Sequence, residues 1–232
     1  MQLPYFYEPS ITATTFFLLS EETSKHCIQV LRMKVGEQLN ITDGKGNLYI
    51  AAITTADKKY TTVNILSSSY NPQQQRIVSI AISLVKNVVR FEWFLEKATE
   101  IGVSEIIPLL CKRTERQHFR LDRMNNILIA AMLQSRQTWL PILHEPIAFE
   151  NIFTANNYQT KLIAHCLEDE KASIKQLTLA NNIQILIGPE GDFTETEIQL
   201  AVQNNYLPVS LGNTRLRTET AGITAAVLLL NY

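Results

Sequence analysis

Short runs of alternating apolar and polar residues fill the first third of the chain. Residues 39–42 and 48–53 are two such runs, and they flank a glycine-rich segment at 43–47. Two β-prone runs joined by a glycine-rich turn predict a β-hairpin. Residues 61–66 repeat the pattern and predict a further strand. Strands this short and this close together are typical of a small β-barrel.

One short helix is predicted within this β-rich part. Ser20 can cap its N-terminus, because a serine hydroxyl accepts a hydrogen bond from the free amides of a first helical turn. At helical spacing, Ile28 and Leu31 would then point inward. The helix would interrupt the strands without changing the prediction of a barrel.

Apolar strands alternate with amphipathic helices in the rest of the chain. Residues 77–85 predict a buried strand, residues 91–101 have helical spacing up to a terminating Gly102, and residues 121–135 predict another helix. Further strands are predicted at 105–109, 161–165, 184–187 and 208–211. This alternation predicts an α/β domain built on a mostly parallel sheet with both faces covered.

A polar segment separates the two patterns. Residues 67–75 read SSSYNPQQQ, and such polar, proline-containing segments commonly form linkers or long loops. We therefore predict two domains, a β-barrel domain at residues 1–70 and an α/β domain at residues 74–232.

The last predicted helix, at residues 220–232, carries no charged side chain. A helix that is apolar on nearly all sides is expected to be buried all round. Two interpretations remain open: a core helix of this chain, or a helix partly buried by a second copy of the chain.

Composition excludes several classes of protein. Hydrophobic residues make up 46% of the 232 residues and charged residues 19%, which excludes a disordered chain. The formal net charge of -1 excludes a uniformly basic coat for nucleic acid but is compatible with a local basic patch. The longest apolar run, 225–230, is far shorter than the roughly 20 residues of a membrane-spanning helix.

Cysteine usage and the start of the chain indicate a reducing compartment. The three cysteines are widely separated, which argues against a disulfide framework. The first residues show no basic segment followed by an apolar one, so no signal peptide is predicted and we expect a cytoplasmic protein. Neither HExxH nor GxSxG occurs, so we predict neither a metal site nor a serine nucleophile.

Two segments have the same order of elements: a strand, a turn that contains glycine, and a helix. The first glycine turn follows the strand that ends at Ile187 and reads GPEG, after which Thr194 and Glu197 match a capping box. The second follows Leu211 and reads GNTRLRTETAG. Glycine lets the backbone approach a ligand closely, and ligands of open α/β sheets sit beyond the carboxyl ends of strands. We predict that both turns face one pocket, although each alone could be an ordinary turn.

The charge of these turns narrows the ligand class. The chain has no GxGxxG after a strand and no GxxxxGK[ST], so neither a dinucleotide site nor a P-loop is predicted. The turns hold five acidic residues, Glu190, Asp192, Glu195, Glu197 and Glu219. Their charge would repel a polyphosphate but not a neutral or cationic ligand. A sulfonium such as S-adenosylmethionine has the matching sign.

Basic residues cluster elsewhere. Residues 112–123 hold five Lys and Arg against two acidic residues, and the N-terminal part adds Lys25, Arg32, Lys34 and Lys45. Such a run is usually a solvated face. Beside a small β-barrel it also fits a groove for a nucleic-acid backbone.

Four segments, spread in order over nearly the whole chain, resemble the RsmE family of 16S ribosomal RNA uridine methyltransferases in the SPOUT superfamily. They are HCIQVLRMKVGEQLNITDGKG (26–46), EKATEIGVSEIIPLLCKRTER (96–116), LIGPEGDFTETEI (186–198) and LGNTRLRTETAGITA (211–225). The last two are specific to the family, and the first two support them.

The resemblance implies a fold that periodicity alone does not give. The α/β domain would be a SPOUT domain with a trefoil-knotted parallel sheet, and the N-terminal domain would be a PUA-like β-barrel. The protein would be a homodimer, with the last helix in the interface. Its cofactor would be S-adenosylmethionine, without a metal, and its product would be a uridine of 16S ribosomal RNA methylated on N3.

The resemblance also implies binding residues, position by position. The cofactor would contact His165, Gly188, Pro189, Glu190, Gly191, Leu211, Gly212, Leu216, Arg217 and Thr218. The RNA would contact Arg32, Lys34, Arg113 and Arg116. At two positions the sequence departs from the family pattern in a way that affects the backbone conformation. Asp192 and Arg136 stand where many members of the family have glycine.

For methyl transfer we predict direct in-line attack by the uridine ring nitrogen, with both partners held in place by the enzyme. Arg217 could stabilise negative charge on the uracil oxygens, and Glu219 or Glu100 could act as base or orienting group. A structural role stays open for both carboxylates, since Glu219 lies near a helix N-terminus and Glu100 could cover a solvent face.

Two other functions remain open. One is a SPOUT methyltransferase that acts on another RNA base. The other is a non-catalytic ribosomal RNA-binding assembly factor that keeps the fold without the chemistry. Binding of S-adenosylmethionine would separate the enzymes from the assembly factor.

Overall fold

The computed structural model describes residues 3–115, 118–154, 157–167 and 171–230. The chain forms two compact units. One comprises Met1–Gln73 together with Met132–Leu140, and the other comprises Gln74–Ala131 together with Pro141–Tyr232. Residues 132–140, which the predicted domain limits assign to the α/β domain, therefore pack with the N-terminal part.

The N-terminal unit is built on one five-stranded sheet. Its strands are β1 (Tyr5–Tyr7), β2 (Phe16–Leu18), β3 (Gln38–Thr42), β4 (Asn47–Thr55) and β5 (Thr62–Tyr70), in the order β1-β3-β4-β5-β2. The predicted small barrel is thus a curled, open sheet of the PUA-like type. The predicted hairpin is confirmed as β3 and β4, which pair antiparallel.

The hairpin turn is held by one carboxylate. Asp43 Oδ1 accepts hydrogen bonds from the amides of Lys45 and Asn47, at 2.8 and 3.1 Å. The predicted third strand is confirmed as β5, but it runs on to Tyr70 and so includes residues assigned from sequence to the linker.

The predicted short helix is α1 (Glu21–Lys25), and Ser20 caps it by accepting from the Thr23 amide. The chain then widens into a π-helical turn at His26–Val30. This change of period moves the buried face, so Cys27 is buried and Leu31 is 45% exposed. The prediction that Leu31 points inward is wrong, whereas Ile28 packs partly buried against the core.

The second unit contains an eight-stranded sheet in which every pairing is parallel. Its strands are β6 (Ile77–Ser83), β7 (Glu105–Leu110), β8 (Ile142–Leu143), β9 (Ile147–Ala148), β10 (Thr160–Ala164), β11 (Ala172–Ser173), β12 (Asn182–Ile187) and β13 (Leu207–Ser210). The main order is β11-β13-β10-β12-β6-β7-β8, and β9 pairs with β7. The predicted parallel α/β architecture is confirmed. The trefoil knot stays a prediction.

Four further helices accompany this sheet. They are α2 (Val88–Ile101), α3 (Leu121–Gln134), α4 (Glu195–Gln203) and α5 (Thr218–Leu230). Gly102 ends α2 in the left-handed conformation, which confirms the predicted end of this helix, and Asn87 caps its start. Thr194 and Glu197 form the predicted capping box of α4. Among the described residues, no helix is both long and apolar enough to cross a bilayer.

Helix α5 packs against α2 and β6 but is open on one side. Gly222 allows the close approach, because a Cβ there would lie 2.6 Å from a ring carbon of Phe94 and 2.9 Å from Ile82 Cδ1. On the opposite side Thr220 is exposed and Val227 is 42% exposed. The chain by itself therefore does not bury this helix all round.

A row of polar side chains crosses the buried centre of the sheet. Ser79 on β6 lies opposite Gln184 on β12, and Gln184 Nε2 donates to Ser79 Oγ at 3.3 Å. The Tyr206 hydroxyl donates to Gln184 Oε1 at 2.5 Å. All three residues are at most 2% exposed. Each thus has a polar partner within the core.

Candidate functional site

The loops that follow β12 and β13 meet beyond the carboxyl ends of the strands. The Thr218 hydroxyl donates a buried hydrogen bond to the carbonyl of Gly188, at 3.0 Å. Strand β10 lies between β12 and β13, so the loop that begins at His165 lies between the other two. Three loops therefore border one crevice.

The crevice consists of two adjoining cavities. The first has a volume of about 350 Å³ and is bordered by His165, Lys171 and residues 209–216. The second has a volume of about 450 Å³ and is bordered by Arg90, residues 187–190, Asp192 and residues 215–218. Both volumes lie within the range of small-molecule sites. Both cavities share Ala164, Cys166, Arg215, Leu216 and Ala221.

Most of the predicted cofactor residues come together here. His165, Leu211, Gly212 and Leu216 line the first cavity, and Gly188, Pro189, Glu190, Leu216, Arg217 and Thr218 line the second. Gly191 instead lies against the Arg113 side chain, where an added Cβ would be 3.3 Å from Arg113 Cδ.

The carboxylates of the first glycine turn hold neighbouring loops. Glu190 Oε1 accepts from the Lys86 amide, which follows β6, at 2.9 Å. Glu197 Oε1 accepts from the Lys112 amide, which follows β7, at 2.7 Å. From the sequence, both acids contribute negative charge, Glu190 is a predicted cofactor contact and Glu197 is part of the predicted capping box. The structure shows that they also fix the positions of two adjacent loops.

Asp192 joins the same turn to the loop after β10. Its Oδ2 accepts from the Cys166 amide at 2.8 Å, and its Oδ1 accepts from the Phe193 amide at 2.8 Å. The backbone of Asp192 is left-handed, with φ 65°. This is the conformation that glycine adopts most easily and that aspartate tolerates better than most residues, so the turn is compatible with Asp192.

The three catalytic candidates lie in different surroundings. Arg217 is exposed at the second cavity. Glu219 is 6% exposed, with Oε1 3.7 Å from Arg90 Nε, and its Oε2 has no hydrogen-bond partner among the described residues. Glu100 is ten residues beyond Arg90 on α2, about 15 Å along the helix, and accepts from Lys97 Nζ at 2.9 Å. The structure does not bring Glu100 to the crevice.

The predicted RNA-binding residues are also divided. Arg32 and Lys34 are exposed on the N-terminal unit, and Arg32 has φ 56°. Arg113 Nη1 donates to the Gly191 carbonyl at 2.6 Å, so its guanidinium supports the first glycine turn. Arg116 lies outside the described residues.

Sequence reasoning missed Arg90, Lys171 and Arg215, which border the crevice. A usable signal existed for Arg90, because it stands in the first turn of the helix that follows β6. The rule that ligands bind beyond the carboxyl ends of strands applies to that loop as well. Among the described residues there is no cluster of His, Cys, Asp and Glu suited to a metal ion.

Family models match both parts of the chain. A model of the RNA methyltransferase domain matches residues 71–230, and a model of the RNA methyltransferase PUA domain matches residues 19–66. The ribosomal RNA small subunit methyltransferase E of Rickettsia conorii is 30% identical over 90% of this chain and 86% of its own length.

Two solved structures share the fold. A methyltransferase from Legionella pneumophila in complex with the bound cofactor SAM is 30% identical, covers 100% of this chain and 98% of its own, and has a TM-score of 0.90. The ribosomal RNA small subunit methyltransferase E of Neisseria gonorrhoeae bound to S-adenosyl methionine is 27% identical. It covers 99% of this chain and 98% of its own, and it also has a TM-score of 0.90. Together with its crevice and its two domains, these matches show that the chain belongs to the ribosomal RNA small subunit methyltransferase E (RsmE) family.

Proposed function

We propose that this protein uses S-adenosylmethionine to methylate N3 of one specific uridine in 16S ribosomal RNA. The observation that carries the proposal is the single crevice, closed by the bond between Thr218 and Gly188, at the junction of three loops. Relatives named as small-subunit ribosomal RNA methyltransferases and neighbours solved with the cofactor support it.

The residues of the crevice fit an adenosyl sulfonium. Ala164, Val209, Leu216 and Ala221 offer apolar surface to a flat heterocycle, and residues 211–214 offer backbone amides and carbonyls. Glu190 and Asp192 place negative charge on one side of the second cavity, which suits a cation there, while Arg90, Arg215 and Arg217 also border this cavity. When bound, this cofactor supplies an electrophilic methyl group.

Two side chains are suited to the target base: Arg217, which lines the second cavity, and the buried Glu219, which follows the lining residue Thr218 in sequence. Arg217 would donate hydrogen bonds to the uracil oxygens and stabilise the negative charge that develops when N3 loses its proton. Glu219, whose buried Oε2 accepts no hydrogen bond from the described residues, would accept that proton or orient Arg90. We assign no catalytic role to Glu100.

The N-terminal domain, residues 1–70, would hold the RNA. Its exposed Arg32 and Lys34 are suited to phosphate contacts, whereas Arg113 acts chiefly on the first glycine turn. The partner would be the small ribosomal subunit, and we therefore expect the protein to act in the cytoplasm.

A second copy of the chain would cover the open side of α5. The exposed Val227 lies on a helix in which Glu219 is the one charged residue and is itself buried. We expect a homodimer, which light scattering coupled to size exclusion would detect. Val227→Glu should shift the protein to monomer.

Comparison of 16S ribosomal RNA from cells with and without the protein tests the proposed function. Methylation at N3 blocks the pairing edge of uracil, so reverse transcription stops at the modified base. We expect one such stop to vanish without the protein and to return when purified protein and S-adenosylmethionine are added. Retention of every modified uridine in its absence would refute the proposal.

A further inference from the structure

One peptide group in the crevice is held at both ends by charged side chains. The amide of Cys166 donates to Asp192 Oδ2 at 2.8 Å, and the carbonyl of His165 accepts from Lys171 Nζ at 2.9 Å. These two backbone groups belong to the same peptide unit, which joins His165 to Cys166.

The clamped peptide lies where the two cavities adjoin. Cys166 borders both cavities, Lys171 borders the first and Asp192 borders the second. An anion on the amide and a cation on the carbonyl favour one orientation of the peptide plane. Hydrogen bonds to charged groups are the stronger kind, so rotation of this peptide is opposed from both sides.

We propose that Asp192 and Lys171 are positioning residues for the cofactor, which act by fixing the peptide between His165 and Cys166 as the wall shared by the two cavities. This inference rests on the proposed function, because it assigns the crevice to S-adenosylmethionine. It gives Asp192 a task that glycine at this position could not perform, since glycine offers no acceptor to the Cys166 amide.

The backbone conformation of Asp192 allows substitutions that test the clamp without disturbing the fold. Asp192 has φ 65°, so Asp192→Gly removes the carboxylate while it relieves the left-handed backbone. Asp192→Asn keeps one acceptor oxygen, which can serve the Cys166 amide although the second acceptor, used by the Phe193 amide, is lost, and asparagine tolerates this conformation. Asn205 is exposed, has φ 66° and belongs to the same unit, so Asn205→Gly is the matched control.

The first measurement is amide hydrogen exchange at Cys166 in the protein without added cofactor. We expect Asp192→Gly to raise the exchange rate of this amide about tenfold or more, and Asn205→Gly to leave it unchanged. An unchanged rate in Asp192→Gly would overturn the clamp. This readout is independent of any cofactor, so it tests the clamp even if the proposed function fails.

The second measurement is calorimetric titration with S-adenosylmethionine. We expect Asp192→Gly and Lys171→Met each to weaken binding about tenfold, with Asp192→Asn within about threefold of the unmodified protein. In methyl transfer, the KM for the cofactor should rise while kcat at saturation changes little.

The outcomes separate the two proposals. Absence of binding by the unmodified protein would refute the proposed function. Normal binding by Asp192→Gly would refute the positioning role. Equal losses in Asp192→Asn and Asp192→Gly would also refute it, because only the asparagine variant keeps an acceptor for the Cys166 amide.

Discussion

The hydroxyl of Thr218 and the carbonyl of Gly188 share a buried hydrogen bond of 3.0 Å, although 30 residues separate them in sequence. Thr218 is 4% exposed, and it begins α5 directly after the second glycine loop. The bond therefore ties the start of the last helix to the turn after β12, and both residues line the second cavity.

Loss of this hydroxyl should weaken both the fold and the site. In Thr218→Val the Gly188 carbonyl stays buried without its donor, so the free energy of unfolding should fall by about 1–3 kcal/mol, measured by urea denaturation. Affinity for S-adenosylmethionine should fall as well. Thr218→Ser retains the hydroxyl and should lose less of both. A valine variant as stable as the unmodified protein would contradict the importance of the bond.

Removal of the Arg217 guanidinium should affect the reaction more than cofactor binding. We expect Arg217→Ala to lower kcat for methyl transfer by about 10²–10³, because one preorganised donor to the developing charge is lost. Arg217→Lys, which keeps the charge but not the forked geometry, should recover part of the rate. Quench-flow measurement at saturating cofactor provides the rates, and an unchanged kcat in Arg217→Ala would remove Arg217 from catalysis.

A methyl group at Gly222 should separate α5 from α2. In Gly222→Ala the new Cβ would meet Phe94, which is fully buried and has little room to move, so the free energy of unfolding should fall by about 1–3 kcal/mol. This loss opposes the gain in helix propensity from alanine. Gln199→Ala, at an exposed position of α4, should change stability by less than about 0.5 kcal/mol.

Glycine at position 136 should stabilise the N-terminal unit. Arg136 has φ 57°, a conformation that disfavours side chains with a Cβ, and Arg136→Gly should therefore raise the free energy of unfolding by about 1 kcal/mol. Arg136→Ala keeps the unfavourable backbone and should show no such gain. Equal stability of the glycine and alanine variants would contradict this explanation.

The buried thiols of Cys27 and Cys111 should resist alkylation in the folded protein. Their ionisation should also lower the free energy of unfolding at high pH. Burial raises the pKa of Cys27 and of Cys111 from 9.0 to about 12. Little thiolate forms at pH 8, so iodoacetamide should modify the exposed Cys166 and spare the other two in the folded protein. Because the unfolded thiols ionise near 9, the free energy of unfolding should fall as pH rises from 9 towards 12. Mass spectrometry and denaturation at several pH values measure the two effects.

Local patterns in the sequence were sufficient for much of the fold. The hairpin at β3 and β4, the helix ended by Gly102 and the capping box of Thr194 and Glu197 each depend on residues close together in the chain. Their side chains and turn geometry act over a few residues, so the sequence displays them directly. The π-helical turn after Lys25 was missed because a single local period was assumed across it.

Long-range arrangement was harder to predict. The placement of β10 between β12 and β13 depends on pairing between distant segments, so periodicity does not reveal that the His165 loop lies between the two glycine loops. The roles of Glu190 and Asp192 were partly missed for the same reason. Their partners, the amides of Lys86 and Cys166, are 104 and 26 residues away.

The polar row formed by Ser79, Gln184 and Tyr206 has a consequence for assembly of the crevice. If β12 slipped by one residue against β6, the Gln184 amide would face the other side of the sheet and lose its hydrogen bonds to Ser79 and Tyr206 inside the buried core. Misaligned pairings are therefore penalised while the chain folds. The position of the Gly188 turn relative to β6 therefore depends partly on the hydrogen bonds of Gln184, four residues earlier on β12.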